Sequence, residues 1–248
     1  MNTLGVIPAR FGSTRFEGKV LADILGKPMI QHVWERAKEC KMLDGVIVAC
    51  DDERIKKACE EFGAEAVMTS KAHASGSDRI IEAVKNLETE IVVNIQGDEP
   101  LVEPSMIDDL VRTLIEDKTC EMATLIKSIE KEEEINDPNV VKVTVDTKGY
   151  ALYFSRAAIP FNREKVSHKK ISYYKHFGLY AYRKNFLMKF KDLPASRLEA
   201  VERLEQLRVL EAGYKIKTVE TSFDTIAVDT KEDLKRVEDC LKKAKGRG

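Results

Sequence analysis

Three cations, Arg10, Arg15 and Lys19, punctuate the segment Pro8-Ala9-Arg10-Phe11-Gly12-Ser13-Thr14-Arg15 and its continuation to Gly18-Lys19. Glycines let backbone N–H groups approach phosphate oxygens, and the cations neutralise the charge that a triphosphate brings. Each charge-assisted contact contributes about 1.5–3 kcal/mol. The spacing from Gly12 to Gly18-Lys19 is one residue too long for a Walker A loop, and Val20 replaces the hydroxyl that would hold magnesium there. No GxGxxG occurs, so a dinucleotide site is not indicated. A metal on a bound triphosphate needs another ligand, and Asp98 in Gln96-Gly97-Asp98-Glu99-Pro100 is placed to supply it.

That placement follows from the elements. Leu4 to Ile7 and Ile91 to Ile95 read as buried strands, and ligands of open parallel sheets bind outside the carboxyl ends of such strands. A turn residue explains Asp98 equally well on local grounds; the shared sheet edge favours the metal reading. His73-Ala74-Ser75-Gly76-Ser77-Asp78-Arg79 runs into a helix with Ser77 as its expected cap, and small polar residues at a helix start also suit a ribose and a pyrimidine edge. Asp229 in Ala227-Val228-Asp229-Thr230 is either the cap of the last helix or a second metal ligand. Arg156, His176 and the amphipathic run Glu202 to Arg208 are individually as well explained by packing and by a wet helix face.

Strand-like runs alternate with helical patterns through the first half, as a largely parallel sheet with long crossovers requires. Met29, Ile30, Val33, Trp34 and Ala37 repeat at helical spacing after Pro28. Between residues 121 and 182 the texture changes to strands separated by charged or Gly/Pro-bearing turns, an antiparallel addition. Helices then return: Ser196 and Glu199 are spaced as a capping box before the run Val201 to Leu210, and Gly213 suits a helix C-terminus. The expected organisation is a single domain over 1–248, with 1–120 and 183–248 as nucleotide-binding core and 121–182 as the antiparallel subregion. Aromatic residues from Tyr173 to Tyr182 read as core before interface.

The 248 residues carry 41 Lys and Arg against 42 Asp and Glu, so no long-range positive field draws in nucleic acid or an anionic membrane. The 5 cysteines form no CxxC and fit reduced thiols in a cytoplasm. The apolar start Met1 to Pro8 is too short for a signal peptide or a spanning helix.

Taken in order, Pro8-Ala9-Arg10, Gly12-Ser13-Thr14-Arg15, Gly18-Lys19, His73, Ser75-Gly76, Asp78-Arg79, Gln96-Gly97-Asp98-Glu99-Pro100, Phe154-Ser155-Arg156, Ile159-Pro160, His176, Gly178, Tyr180, Glu202, Leu204-Glu205-Gln206-Leu207-Arg208 and Val228-Asp229-Thr230 form a series. It resembles the 3-deoxy-manno-octulosonate (KDO) cytidylyltransferases of lipopolysaccharide biosynthesis over essentially the whole length. The resemblance implies a Rossmann-like α/β fold of the nucleotide-diphospho-sugar transferase type, with a sugar-binding and dimerising subregion. It implies a cytoplasmic homodimer that converts CTP and KDO to CMP-KDO and pyrophosphate with Mg2+. By that similarity Pro8, Arg10, Ser13, Arg15 and Lys19 hold the triphosphate end, and Ser75, Gly76, Asp78 and Gln96 the cytidine. Asp98 and Asp229 hold magnesium, Arg156, His176, Tyr180, Glu205 and Gln206 with Gln96 hold the sugar acid, and Lys19, Asp98 and Arg15 carry the chemistry. Related sugar acids, and a nucleotide-sensing module without catalysis, are the alternatives. Where the family usually has Leu-Pro-Gly-Lys-Pro, this chain has Phe16-Glu17-Gly18-Lys19-Val20. Loss of two prolines is expected to loosen the loop, and Glu17 to add negative charge beside the phosphates.

Overall fold

The computed structural model describes residues 2–12, 16–73, 75–167 and 171–245, without the side chain of Lys245. The chain begins with β1 (Thr3–Ala9), a 3-10 turn at Lys19–Leu21, and the short pair β2 (Asp23–Ile24) and β3 (Lys27–Pro28). Next come α1 (Met29–Lys38), β4 (Gly45–Cys50), α2 (Glu53–Glu61), β5 (Glu65–Met68), α3 (Gly76–Val84), β6 (Ile91–Asn94) and α4 (Pro104–Glu116). The middle of the chain holds β7 (Met122–Ser128), α5 (Glu132–Asn136), β8 (Lys142–Val145), β9 (Ala151–Ser155) and β10 (Tyr174–Arg183). It continues through α6 (Lys184–Phe190), α7 (Arg197–Glu202), α8 (Gln206–Glu211), β11 (Ile216–Glu220) and α9 (Lys231–Lys245).

These elements form two compact units, 1–108 with 224–248, and 109–223. The second is wider than the subregion drawn from sequence texture. The reason is local: α6 follows β10 directly and α8 packs on β9, so residues 183–223 group with the antiparallel strands.

In the first unit the strands run β6-β1-β4-β5, all parallel. Val6, Ile7, Val48, Val92 and Val93 are fully buried, each contributing about 1.5–3 kcal/mol for a side chain of that size. Helix α1 starts after Pro28 and buries Met29, Ile30, Val33 and Ala37, the spacing expected. Helix α3 differs from expectation: its cap is Ser75, whose Oγ accepts from the Asp78 N–H at 3.1 Å, while Ser77 lies buried inside the first turn. Val228 and Val237 pack with Ile24 and Met29, which fastens α9 to the segment after the first loop.

In the second unit β7 lies between β11, parallel to it, and β10, antiparallel to it; β8 joins β10 to β9. Phe177, Leu179, Tyr180 and Tyr182 are buried there, so the aromatic strand is core. The run after Ser196 is not one helix. Ser196 accepts from the Glu199 N–H at 2.9 Å, but the Glu199 carboxylate turns to Arg208 (2.7 and 2.8 Å) and does not close the box. Arg203 then takes a left-handed conformation, φ 55°, and breaks the run into α7 and α8, at a cost of about 1–2 kcal/mol for a residue with a Cβ.

Among the described residues no helix is long and apolar enough to cross a membrane. All five thiols are free. Burial pushes Cys40 and Cys59 up to about 12 and Cys50 up to about 11, so they stay protonated and are no nucleophiles.

Candidate active site

Parallel pairing of β1 with β6, Val6 opposite Asn94, puts the carboxyl ends of both strands at one edge. A cavity of about 250 Å³ opens there. Pro8, Arg10, Lys19, Gln96 and Asp98 line it, and Ser75 and Gly76 at the start of α3 line its other side. Asp78 supports that side from behind, accepting from the Ser75 hydroxyl at 2.9 Å. Ser13 and Arg15, expected to complete the phosphate contacts, lie outside the described residues.

The loop is anchored at both ends. The Phe11 N–H donates to Asp51 Oδ1 at 2.9 Å, and Asp51 Oδ2 accepts from Arg79 Nη2 at 3.0 Å. The Arg54 guanidinium covers the Phe11 ring, 3.4 Å from its centroid. Gly18, at φ 66°, donates its N–H to the Phe11 carbonyl at 2.9 Å, closing the turn that delivers Lys19. Val20, where the family has proline, is a buried anchor. Glu17 finds a countercharge, because it lies near enough to Arg54 to help Asp52 raise that guanidinium's pKa.

Lys19 is the centre of the site. Its Nζ donates to Asp98 Oδ2 at 2.7 Å, to the Val228 carbonyl at 2.9 Å and to Asp229 Oδ1 at 3.0 Å. Burial lowers its pKa, but the charges and hydrogen bonds of Asp98 and Asp229 outweigh burial and hold it above the ordinary lysine value. The Val228 N–H donates to the Asp98 carbonyl at 2.9 Å, tying the two acidic loops together. Capping of α9 falls to Thr230, whose Oγ accepts from the Asp233 N–H at 3.2 Å. The Asp229 side chain meanwhile reaches Lys19. Next door, burial first and Asp98 second push Glu99 up to about 7, against a hydrogen bond from Thr225.

Gly97 makes the close packing of these loops possible. A Cβ there would meet the Pro8 carbonyl oxygen at 3.0 Å. Gly97→Ala is expected to lower stability by about 1–3 kcal/mol through overpacking and to raise the KM for nucleotide; a thermal melt and substrate titration measure both.

In the second unit His176 and Tyr180 share β10, their rings 5.5 Å apart, and Phe154 meets the imidazole edge-on at 4.9 Å. The β10 ladder shifts register between Phe177 and Tyr180, and the Thr124 hydroxyl fills the gap by bonding the Leu179 carbonyl at 2.8 Å. Having one proton, that hydroxyl accepts from His176 Nε2 at 2.9 Å, which leaves Nδ1 as the ring's acceptor. Arg156 follows β9 and spends part of its guanidinium on carbonyls: Nε on Glu202 at 2.8 Å, Nη1 on Pro138 at 2.9 Å. Glu205 and Gln206 begin α8, and the buried Gln206 Nε2 has no hydrogen-bond partner among the described residues.

Desolvation pushes His176 down to about 3. The folded value lies below the unfolded one of about 6.5, so its contribution is present above pH 6.5 and is lost as pH falls toward 3. Melts between pH 7 and 4 are expected to show a smaller loss of midpoint in His176→Gln than in the parent chain.

Asp51 was not singled out by sequence reasoning, and Arg79 and Gly97 stood in the motifs without a role. Asp51 carried the same signal as Asp98, an acid just past the carboxyl end of a strand.

The Cytidylyltransferase family profile matches residues 4–216. The 3-deoxy-manno-octulosonate cytidylyltransferase of Geotalea uraniireducens is 50% identical, covering 98% of this chain and 100% of its own length. That of Thermodesulfovibrio yellowstonii is 52% identical, covering 97% and 98%. A solved structure of CMP:2-keto-3-deoxy-manno-octonic acid synthetase complexed with CTP superposes with a TM-score of 0.94 at 42% identity, covering 98% of this chain and 100% of its own. The carboxyl-edge cavity with its paired acids therefore sits in a chain that belongs to the 3-deoxy-manno-octulosonate cytidylyltransferase family.

Proposed function

We propose that this chain transfers the cytidylyl group of CTP to the anomeric hydroxyl of KDO, giving CMP-KDO and pyrophosphate. The observation that carries the assignment of roles is Lys19 Nζ between Asp98 and Asp229 at the cavity on the carboxyl edge of β1 and β6. The KDO oxygen bonds to the α-phosphorus, the bond from that phosphorus to the bridging oxygen breaks, and the hydroxyl proton passes to solvent. Pyrophosphate departs with the electron pair.

Arg10 and Lys19, with Ser13 and Arg15, neutralise the triphosphate and the charge that grows on the leaving pyrophosphate. Ser75 and Gly76 with Asp78 receive the cytidine, and Gln96 serves both substrates. Arg156 and Gln206 offer donors to the sugar acid, while His176 Nδ1 accepts from a hydroxyl. Tyr180 and Glu205 complete that set.

Asp98 and Asp229 fit a magnesium ion: one cation already bridges them, and hard oxygen donors suit Mg2+. Among the described residues no cluster of three or more His, Cys, Asp or Glu side chains could hold a metal, and the other ligands would be water and phosphate oxygens. Bound there, the ion supplies Lewis-acid charge and acidifies the attacking hydroxyl.

The enzyme acts in the cytoplasm, where CTP is made, as a homodimer. Leu152, Phe161 and Val201 of the second unit are large apolar residues 61%, 86% and 83% accessible, which supports an apolar contact with a second copy. The test is pyrophosphate release with CTP, KDO and magnesium, each omitted in turn, beside other 2-keto sugar acids and UTP. Release that does not depend on KDO, or that proceeds equally with UTP, overturns the reading.

A further inference from the structure

The Glu202 carboxylate is held by two groups at the end of β9. The Ser155 hydroxyl donates to Oε1 at 2.7 Å, and the Arg156 backbone N–H donates to Oε2 at 3.0 Å. Arg156 returns the contact through Nε to the Glu202 carbonyl at 2.8 Å. Ser155 is 3% exposed and its oxygen also accepts from the Ala157 N–H at 3.0 Å. On the far side, Arg156 Nη1 rests on the Pro138 carbonyl at 2.9 Å. That turn is itself pinned by the fully buried Lys142, whose Nζ donates to the Asp137 and Val140 carbonyls at 2.7 and 2.6 Å.

Glu202 ends α7, and the left-handed Arg203 and buried Leu204 lead straight into Glu205 and Gln206. A carboxylate on a merely solvated helix face has no reason to accept a backbone N–H from a strand. Here it joins the two places from which Arg156 and the Glu205-Gln206 pair emerge.

We propose that Glu202 is the positioning residue of the sugar-acid pocket: its carboxylate locks the Ser155-Arg156 strand end to the α7–α8 corner, fixing Arg156 relative to Glu205 and Gln206. The proposal rests on the assignment of those three residues to the sugar acid. Misplacing a substrate-holding group by an ångström costs far more than the bond that held it.

Glu202→Ala removes both acceptors; Glu202→Gln keeps one for Ser155 and loses the other. Steady-state pyrophosphate release is measured for both, with KDO and CTP varied separately, after a melt shows each variant folded. The expected result is a KM for KDO raised about 10-fold in Glu202→Ala and less in Glu202→Gln, with the KM for CTP unchanged. A folded Glu202→Ala with an unchanged KM for KDO, or with both constants raised together, overturns the proposal. Gln206→Ala is measured alongside. If it leaves the KM for KDO unchanged while Glu202→Ala raises it, the pocket assignment has failed and the proposal falls with it; if Gln206→Ala alone raises it, the pocket stands and Glu202 has no positioning role.

Discussion

Asp98→Asn lowers pyrophosphate release by about 10²-fold or more at saturating magnesium, the loss seen when one preorganised charge-stabilising group is removed. The substitution keeps shape and hydrogen bonding but removes the negative charge that both Lys19 and a metal ion use. Asp98 also sits where retreat is impossible. Its carbonyl is tied to the Val228 N–H, and the preceding Gly97 is packed against the Pro8 carbonyl. Near-normal turnover of the variant would remove Asp98 from the metal-binding role.

Lys19→Met is the second large effect, and it has two readouts. Methionine keeps the apolar stem that fills the half-buried position, so what disappears is the ammonium alone. Turnover is expected to fall by about 10²–10³-fold as the leaving pyrophosphate loses its countercharge. In the absence of substrates the thermal midpoint also falls, because Asp98 and Asp229 then lose the ammonium they share. Magnesium should recover more of that midpoint in Lys19→Met than in the parent chain. A variant with unchanged turnover and an unchanged magnesium response would contradict the shared-cation geometry.

Much of this was legible in the sequence because it depends on local pattern. The strand before Pro8 and the strand before Gln96 announce themselves as apolar runs, and parallel topology alone brings Lys19 and Asp98 to one edge. Asp229 stood open between capping and metal binding; Thr230 takes the cap, a choice between adjacent residues that propensity does not make. The cap of α3 moved from Ser77 to Ser75 for a similar reason: both can cap, and burial of Ser77 decides. Less legible was the break at Arg203, since a left-handed residue with a side chain has no sequence signature when glycine is absent. That break hid the part played by Glu202, which stood in the motif series without a role and on local grounds looked like one charge among several on a wet face. Lys142 was hidden likewise, its ammonium being satisfied by carbonyls whose direction only the folded turn sets.

The bond from Lys19 to Asp229 spans 210 positions of chain, with the whole of residues 109–223 folding as a separate unit in between. During synthesis, which adds about 5–20 residues per second and lets early segments fold first, the cradle around β1 has Asp98 long before it has Val228 or Asp229. A nascent chain can shape the cleft at the edge of β1 but cannot complete the acidic pair around Lys19. Lys19 therefore gains its second carboxylate partner late, when α9 docks on Ile24 and Met29, and a chain terminated before Val228 carries Lys19 and Asp98 without that partner.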